Sequence, residues 1–104
     1  MTTEFQEGIK EETREEVEIK QPNLWRVIFH NDDKTTMEFV ILLLLKVFYK
    51  NTNEAVEIML TVHEKGKAIA GVYTHEIAEN KMHVCLRTAK EHGFPLAVTI
   101  EEEL

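Results

Sequence analysis

The stretch Trp25-Arg26-Val27-Ile28-Phe29-His30-Asn31-Asp32-Asp33-Lys34-Thr35-Thr36-Met37-Glu38-Phe39-Val40 changes character twice along its length. Its first six residues alternate and are rich in β-branched and aromatic side chains, which predicts a strand. Asn31 to Lys34 is turn chemistry, short polar side chains that bond their own backbone. Thr35-Thr36-Met37-Glu38 has the form of a capping box, with Thr35 as N-cap and Glu38 at the third helical position, so a helix should follow. Met37, Val40, Ile41, Leu44, Leu45 and Phe48 share one face of it, and the pattern runs out near Lys50. The Leu42–Leu45 run holds more leucine than one face buries, which leaves Leu42 and Leu43 at partly exposed positions.

Downstream, Asn53-Glu54 opens a second helix with an N-cap and an early acid. Ala55, Ile58, Met59 and Val62 line one side of it, and Gly66 supplies a left-handed stop. Ala68-Ile69-Ala70-Gly71-Val72-Tyr73 is a short buried strand in which Gly71 marks a close approach. Thr74 caps a third helix with Ala78, Met82, Cys85 and Ala89 inside, ended by Gly93 and Pro95. Leu96 to Ile100 is the last strand. The order β-α-α-β-α-β implies an α+β domain, a small three-stranded sheet with three helices covering one face.

At 104 residues the chain has room for one core, and residues 23–104 are expected to form it. Residues 1–22 carry seven Glu against three Lys or Arg, and their apolar positions keep no period, so a flexible acidic tail is expected there. The formal charge of −7 disfavours nucleic acid and anionic membranes as partners. No signal peptide is evident, and the run from Phe39 to Leu45 is too short to span a bilayer. The lone Cys85 has no partner for an internal disulfide, which fits a reducing, cytoplasmic setting.

Alone, the Asn-Asp-Asp segment reads as a self-bonded turn, and the Met37/Val40 and Met59/Val62 pairs read as core. His63 borders the second pair and by itself reads as a structural histidine. Taken together, the same residues describe a site: an acidic lip able to hold a cation above an apolar floor. Catalysis has little support. The chain has no serine, Cys85 sits on an inner helix stripe, and no phosphate loop or HExxH spacing occurs. A His30/Asp32/Asp33 metal site lacks ligand spacing. No cofactor is expected.

From Leu24 to about Glu101 the chain resembles the ClpS adaptor family. The family pattern N-D-D-x-T-P-M-E-F-V appears at Asn31 to Val40, and M-x-x-V-H-x-x-G-K-A at Met59 to Ala68. A block of the form G-V-F/Y-T-x-E-x-A-E-x-K appears at Gly71 to Lys81, and P-L-x-x-T-L/I-E at Pro95 to Glu101. Thr36 departs from the pattern, standing where the family has Pro, so the helix start loses a preset φ angle.

The resemblance implies a non-enzymatic adaptor that binds proteins beginning with Leu, Phe, Tyr or Trp and delivers them to a Clp ATPase, ClpA-like or ClpC-like, for degradation by ClpP. It implies that Asn31, Asp32 and His63 receive the free α-amine of such N-degron substrates. Asp33, Thr35, Met37, Val40, Met59, Val62 and Leu96 form the side-chain pocket, Met37 being the barrier to β-branched residues. Glu76 and Lys81 match positions that contact the N-terminal domain of the ATPase, and the tail takes part in delivery. The competing expectations are a general protein-interaction domain with a fold like the C-terminal domain of the ribosomal stalk protein, or a small hydrolase using Asp32 and His63.

Overall fold

In a computed structural model, residues 23–104 are described, and the expected tail at residues 1–22 lies outside the described residues. The elements are β1 (Leu24–His30), α1 (Met37–Lys46), α2 (Thr52–Lys65), β2 (Lys67–Thr74), α3 (His75–Glu91) and β3 (Ala97–Glu102). The strands form one antiparallel sheet in the order β2-β1-β3, so the strand that feeds the Asn-Asp-Asp turn is the central one. This is the α+β architecture and element order that the sequence predicts.

Alternation along β1 decides which face meets the helices. Val27 and Phe29 are wholly buried in the core shared with Leu43 and Leu44 of α1, Met59 and Val62 of α2, and Ala78, Cys85 and Ala89 of α3. Phe29 meets Phe48 edge-on with ring centres 5.5 Å apart. Burying each such large side chain contributes about 1.5–3 kcal/mol. Leu24 on β1 and Ile69 and Val72 on β2 remain exposed. A bulge in the β1–β2 pairing lies between Val27 and Ile28, opposite Gly71 and Ile69. Gly71 is indeed a place of close approach, but to a side chain: a Cβ there would overlap the Tyr73 hydroxyl and lie 2.6 Å from its ring.

The helix ends differ from the sequence reading in instructive ways. Thr36, not Thr35, is the N-cap of α1, its hydroxyl accepting from the Phe39 N–H at 3.1 Å. Thr35 is unavailable because it is bonded to Asp32, so no capping box with Glu38 forms. The departure at position 36 therefore supplies its own cap.

Helix α1 stops at Lys46 rather than near Lys50, because Tyr49 adopts a left-handed φ of 55° and the Lys50 N–H turns back to the Leu44 carbonyl at 3.0 Å. Asn51, not Asn53, caps α2, in a reciprocal box with Glu54. Gly66 ends α2 at φ 93°, as expected. Thr74 is the N-cap of α3 by position but makes no side-chain cap bond. On α1, Leu42 is exposed as anticipated, whereas Leu43 is buried and Met37 is 43% exposed. The inner face is thus Phe39, Val40, Leu43 and Leu44.

Candidate functional site

Two chain segments meet in a concavity of about 400 Å³ lined by residues 31–37 with Val40 on one side and Met59, Val62 and His63 on the other. The first segment leaves the end of the central strand and enters α1. The second is the last half of α2. Both are fixed where they meet, because the Asn31 N–H donates to the carbonyl of Gly66, the left-handed cap of α2, at 2.9 Å. The residue that starts the loop is thereby tied to the residue that ends the helix.

Asp32 folds the loop. One carboxylate oxygen accepts from the Lys34 N–H at 2.8 Å and the Thr35 N–H at 2.7 Å, and the other from the Thr35 hydroxyl at 2.8 Å. Burial pushes the Asp32 pKa up, but the Thr35 backbone bond, the Thr35 hydroxyl and the Lys34 N–H together outweigh it and hold the carboxyl below its ordinary 3.8. Asp32 is therefore a carboxylate at neutral pH. Asn31, Asp33 and His63 are exposed at the rim, and Asp32, Asp33 and Lys34 leave one net negative charge there.

The floor is apolar: Val40, Met59 and Val62 are each less than a tenth exposed, while Met37 stands at the edge. Acceptors at the rim above an apolar floor are chemically suited to a group with a cationic head and a compact apolar body.

The concavity brings together nine of the ten sequence-expected binding residues: Asn31, Asp32, Asp33, Thr35, Met37, Val40, Met59, Val62 and His63. Leu96 is not among the lining residues. It is buried in the core at 5% exposure. Sequence reasoning missed Lys34 and Thr36, which also line the hollow. Their signal was present, since every residue of a tight turn bordering a site is close to it.

Glu76 and Lys81 lie outside this concavity on α3. Glu76 is exposed in the first turn, and the Lys81 ammonium donates to the Val47 carbonyl at 2.7 Å. No cluster of three or more metal-ligating side chains occurs among the described residues. Likewise, no helix among them is long and apolar enough to cross a membrane.

The sequence pattern of the family described as ATP-dependent Clp protease adaptor protein ClpS matches residues 20–99. The chain belongs to the ClpS family. It is 48% identical over 98 residues to an ATP-dependent Clp protease adapter protein ClpS of Desulforapulum autotrophicum, covering 92% of this chain and 94% of that one. A ClpS of Lawsonia intracellularis is 47% identical over 97 residues, 93% of this chain and 88% of the relative. Among solved structures, Agrobacterium tumefaciens ClpS2 bound to L-phenylalaninamide superposes with a TM-score of 0.77 at 38% identity, covering 80% of this chain and all of that one. That ligand carries a free α-amine on an aromatic residue.

Proposed function

We propose that this chain is a non-enzymatic adaptor that receives the first residue of N-degron proteins, Leu, Phe, Tyr or Trp with a free α-amine, and delivers them to a Clp ATPase for degradation by ClpP. The observation that carries the reading is the single concavity joining Asn31, Asp32 and His63 to Val40, Met59 and Val62. An α-amine with a pKa near 7.7–8 is mostly cationic at neutral pH. Asn31 and Asp32 accept from it, and a neutral His63 ring offers a third acceptor.

Charge-assisted bonds contribute about 1.5–3 kcal/mol each, and burying a Leu or Phe side chain adds about 1.5–3 kcal/mol. After the cost of association, affinity near 1 μM, about −8 kcal/mol, is expected. Met37 at the mouth crowds a second branch on Cβ and so disfavours Ile and Val. Thr35 supports the side-chain pocket through its two bonds to Asp32, which hold the loop, and Asp33 lines the pocket at its exposed rim.

Glu76 and Lys81 of α3 face the N-terminal domain of a ClpA-like or ClpC-like ATPase on this reading, and the acidic residues 1–22 take part in delivery. A reducing cytoplasmic setting suits the lone thiol of Cys85. The test is fluorescence anisotropy with a labelled peptide beginning with Leu or Phe against its acetylated twin. Acetylation removes the charge and donors, so binding should be lost. Equal binding of both peptides would instead favour a general protein-interaction domain.

A further inference from the structure

Tyr49 is an anomaly that peptide binding does not absorb. It follows α1 at the left-handed position where the Lys50 N–H turns back to the Leu44 carbonyl, a place usually filled by Gly. An L side chain is strained at its φ of 55°, and bulky residues rarely go there. Burial gives nothing in return, because Tyr49 is 82% exposed. An exposed aromatic ring held in a disfavoured backbone conformation is a sign of use.

Its neighbours suggest what the use is. The Lys81 ammonium lies 5.2 Å from the centre of the Tyr49 ring, 5.2 Å from that of Tyr73 and 5.7 Å from that of Phe48. Its bond to the Val47 carbonyl fixes it against the loop that carries Tyr49. A lysine so held loses little side-chain freedom when it meets a partner. Ile77, one helical turn before Lys81, is 47% exposed and adds aliphatic surface on the same side of α3. An exposed tyrosine beside an immobilised cation and an exposed isoleucine has the composition of an interface anchor.

We propose that Tyr49 is a direct contact of the ATPase, its exposed ring seated against an apolar surface of the N-terminal domain beside Lys81. The proposal rests on the reading of α3 as the ATPase-facing surface. Tyr49 lies outside the residues lining the peptide concavity, so its replacement leaves peptide affinity unchanged.

The experiment compares full-length wild type, Y49G, Y49N, Y49F and K81A for affinity to intact ClpA-like and ClpC-like hexamers, for affinity to a Leu-initiated peptide, and for thermal unfolding. Gly and Asn both tolerate the left-handed conformation. Y49G should therefore unfold a few degrees higher than wild type and yet bind the ATPase roughly tenfold more weakly, as removal of an aromatic anchor does. Y49N should lose the same affinity with the loop geometry kept, and Y49F should stay within about twofold because the ring face is retained. A purely structural Tyr49 would not give higher stability with weaker ATPase binding. Wild-type ATPase affinity in Y49G and Y49N, with K81A weakened, would overturn the contact and leave the α3 surface standing. Failure of wild type to bind either hexamer, or wild-type affinity in K81A, would overturn both.

Discussion

Replacing Asp32 separates the loop it builds from the amine it is proposed to hold. Its carboxylate accepts three internal bonds, from the Lys34 N–H, the Thr35 N–H and the Thr35 hydroxyl. Asp32→Ala removes all three bonds, but at a half-buried site water reaches the abandoned donors, so each loss is set at about 0.5–1 kcal/mol and the total at about 1.5–3 kcal/mol. Asp32→Asn keeps an amide oxygen for the two N–H groups and offers an NH₂ to the Thr35 hydroxyl, which both donates and accepts, so stability should fall by less than about 1 kcal/mol.

Binding behaves differently. The neutral amide converts a charge-assisted bond to the amine into an ordinary one, a loss of about 1–1.5 kcal/mol, or roughly five- to twelvefold in Kd. Denaturant melts report the first quantity and peptide anisotropy the second. The acid limb gives an independent check. Because the folded-state pKa lies below 3.8, the stability gained from this carboxylate is complete above that value and lost as pH falls through the folded pKa. Asp32→Asn should lack this contribution, so its deficit against wild type is full above about pH 3.8 and shrinks as pH falls through the folded pKa. If Asp32→Asn bound the Leu peptide as wild type does, Asp32 would be a loop residue only and the amine would be held elsewhere.

Three further outcomes can be measured alongside. Met37→Ala should admit peptides beginning with Ile or Val, and unchanged discrimination in the same anisotropy assay would remove Met37 from the gate. Gly66→Ala meets no atom within 4 Å, so its effect is purely the left-handed backbone at φ 93°, about 1–2 kcal/mol of lost stability by denaturant melt; an unchanged midpoint would contradict that. Burial pushes the Cys85 thiol up to about 12 against the pull of Lys81, leaving roughly one thiolate in ten thousand at pH 8. A thiol reagent should therefore label it at the rate of unfolding, and prompt labelling of native protein would show the site to be open.

The order of elements was legible because each carries its own period: alternation in Trp25–His30, a 3.6-residue stripe in the three helices, and Gly66 or Gly93 after two of them. The helix ends were less so, for a reason that recurs. Thr35 and Thr36 are chemically equivalent candidates for the cap, and the choice falls to Thr36 because Asp32 engages Thr35. Asn51 and Asn53 pose the same problem, settled by the reach of Glu54 to the Asn51 N–H. Tyr49 had no signal at all, since residue preferences put Gly or Asn in a left-handed position. Leu43 was misplaced because four leucines in a row hide which two face inward.

The site itself is non-local, which is why neither half could identify it. Residue 31 touches residue 66 through one backbone bond, and no periodicity announces such a contact; the two segments were joined in advance only by their co-occurrence in one small domain and by the family resemblance. Once they are joined, the hydrogen-bond count explains the division of labour. A carboxylate has about four lone-pair positions, and Asp32 spends three on its own loop. It has roughly one acceptor left for a ligand, whereas a primary ammonium brings three donors. On the proposed reading Asn31 and His63 complete the set, one acceptor each. On that reading the same count predicts selectivity against an acetylated terminus, whose single amide N–H leaves two of the three acceptors unpaired. It also predicts that Asn31→Ala and His63→Ala weaken peptide binding without the loss of loop stability that marks Asp32→Ala, because the Asn31 N–H anchor to Gly66 belongs to the backbone and survives the substitution.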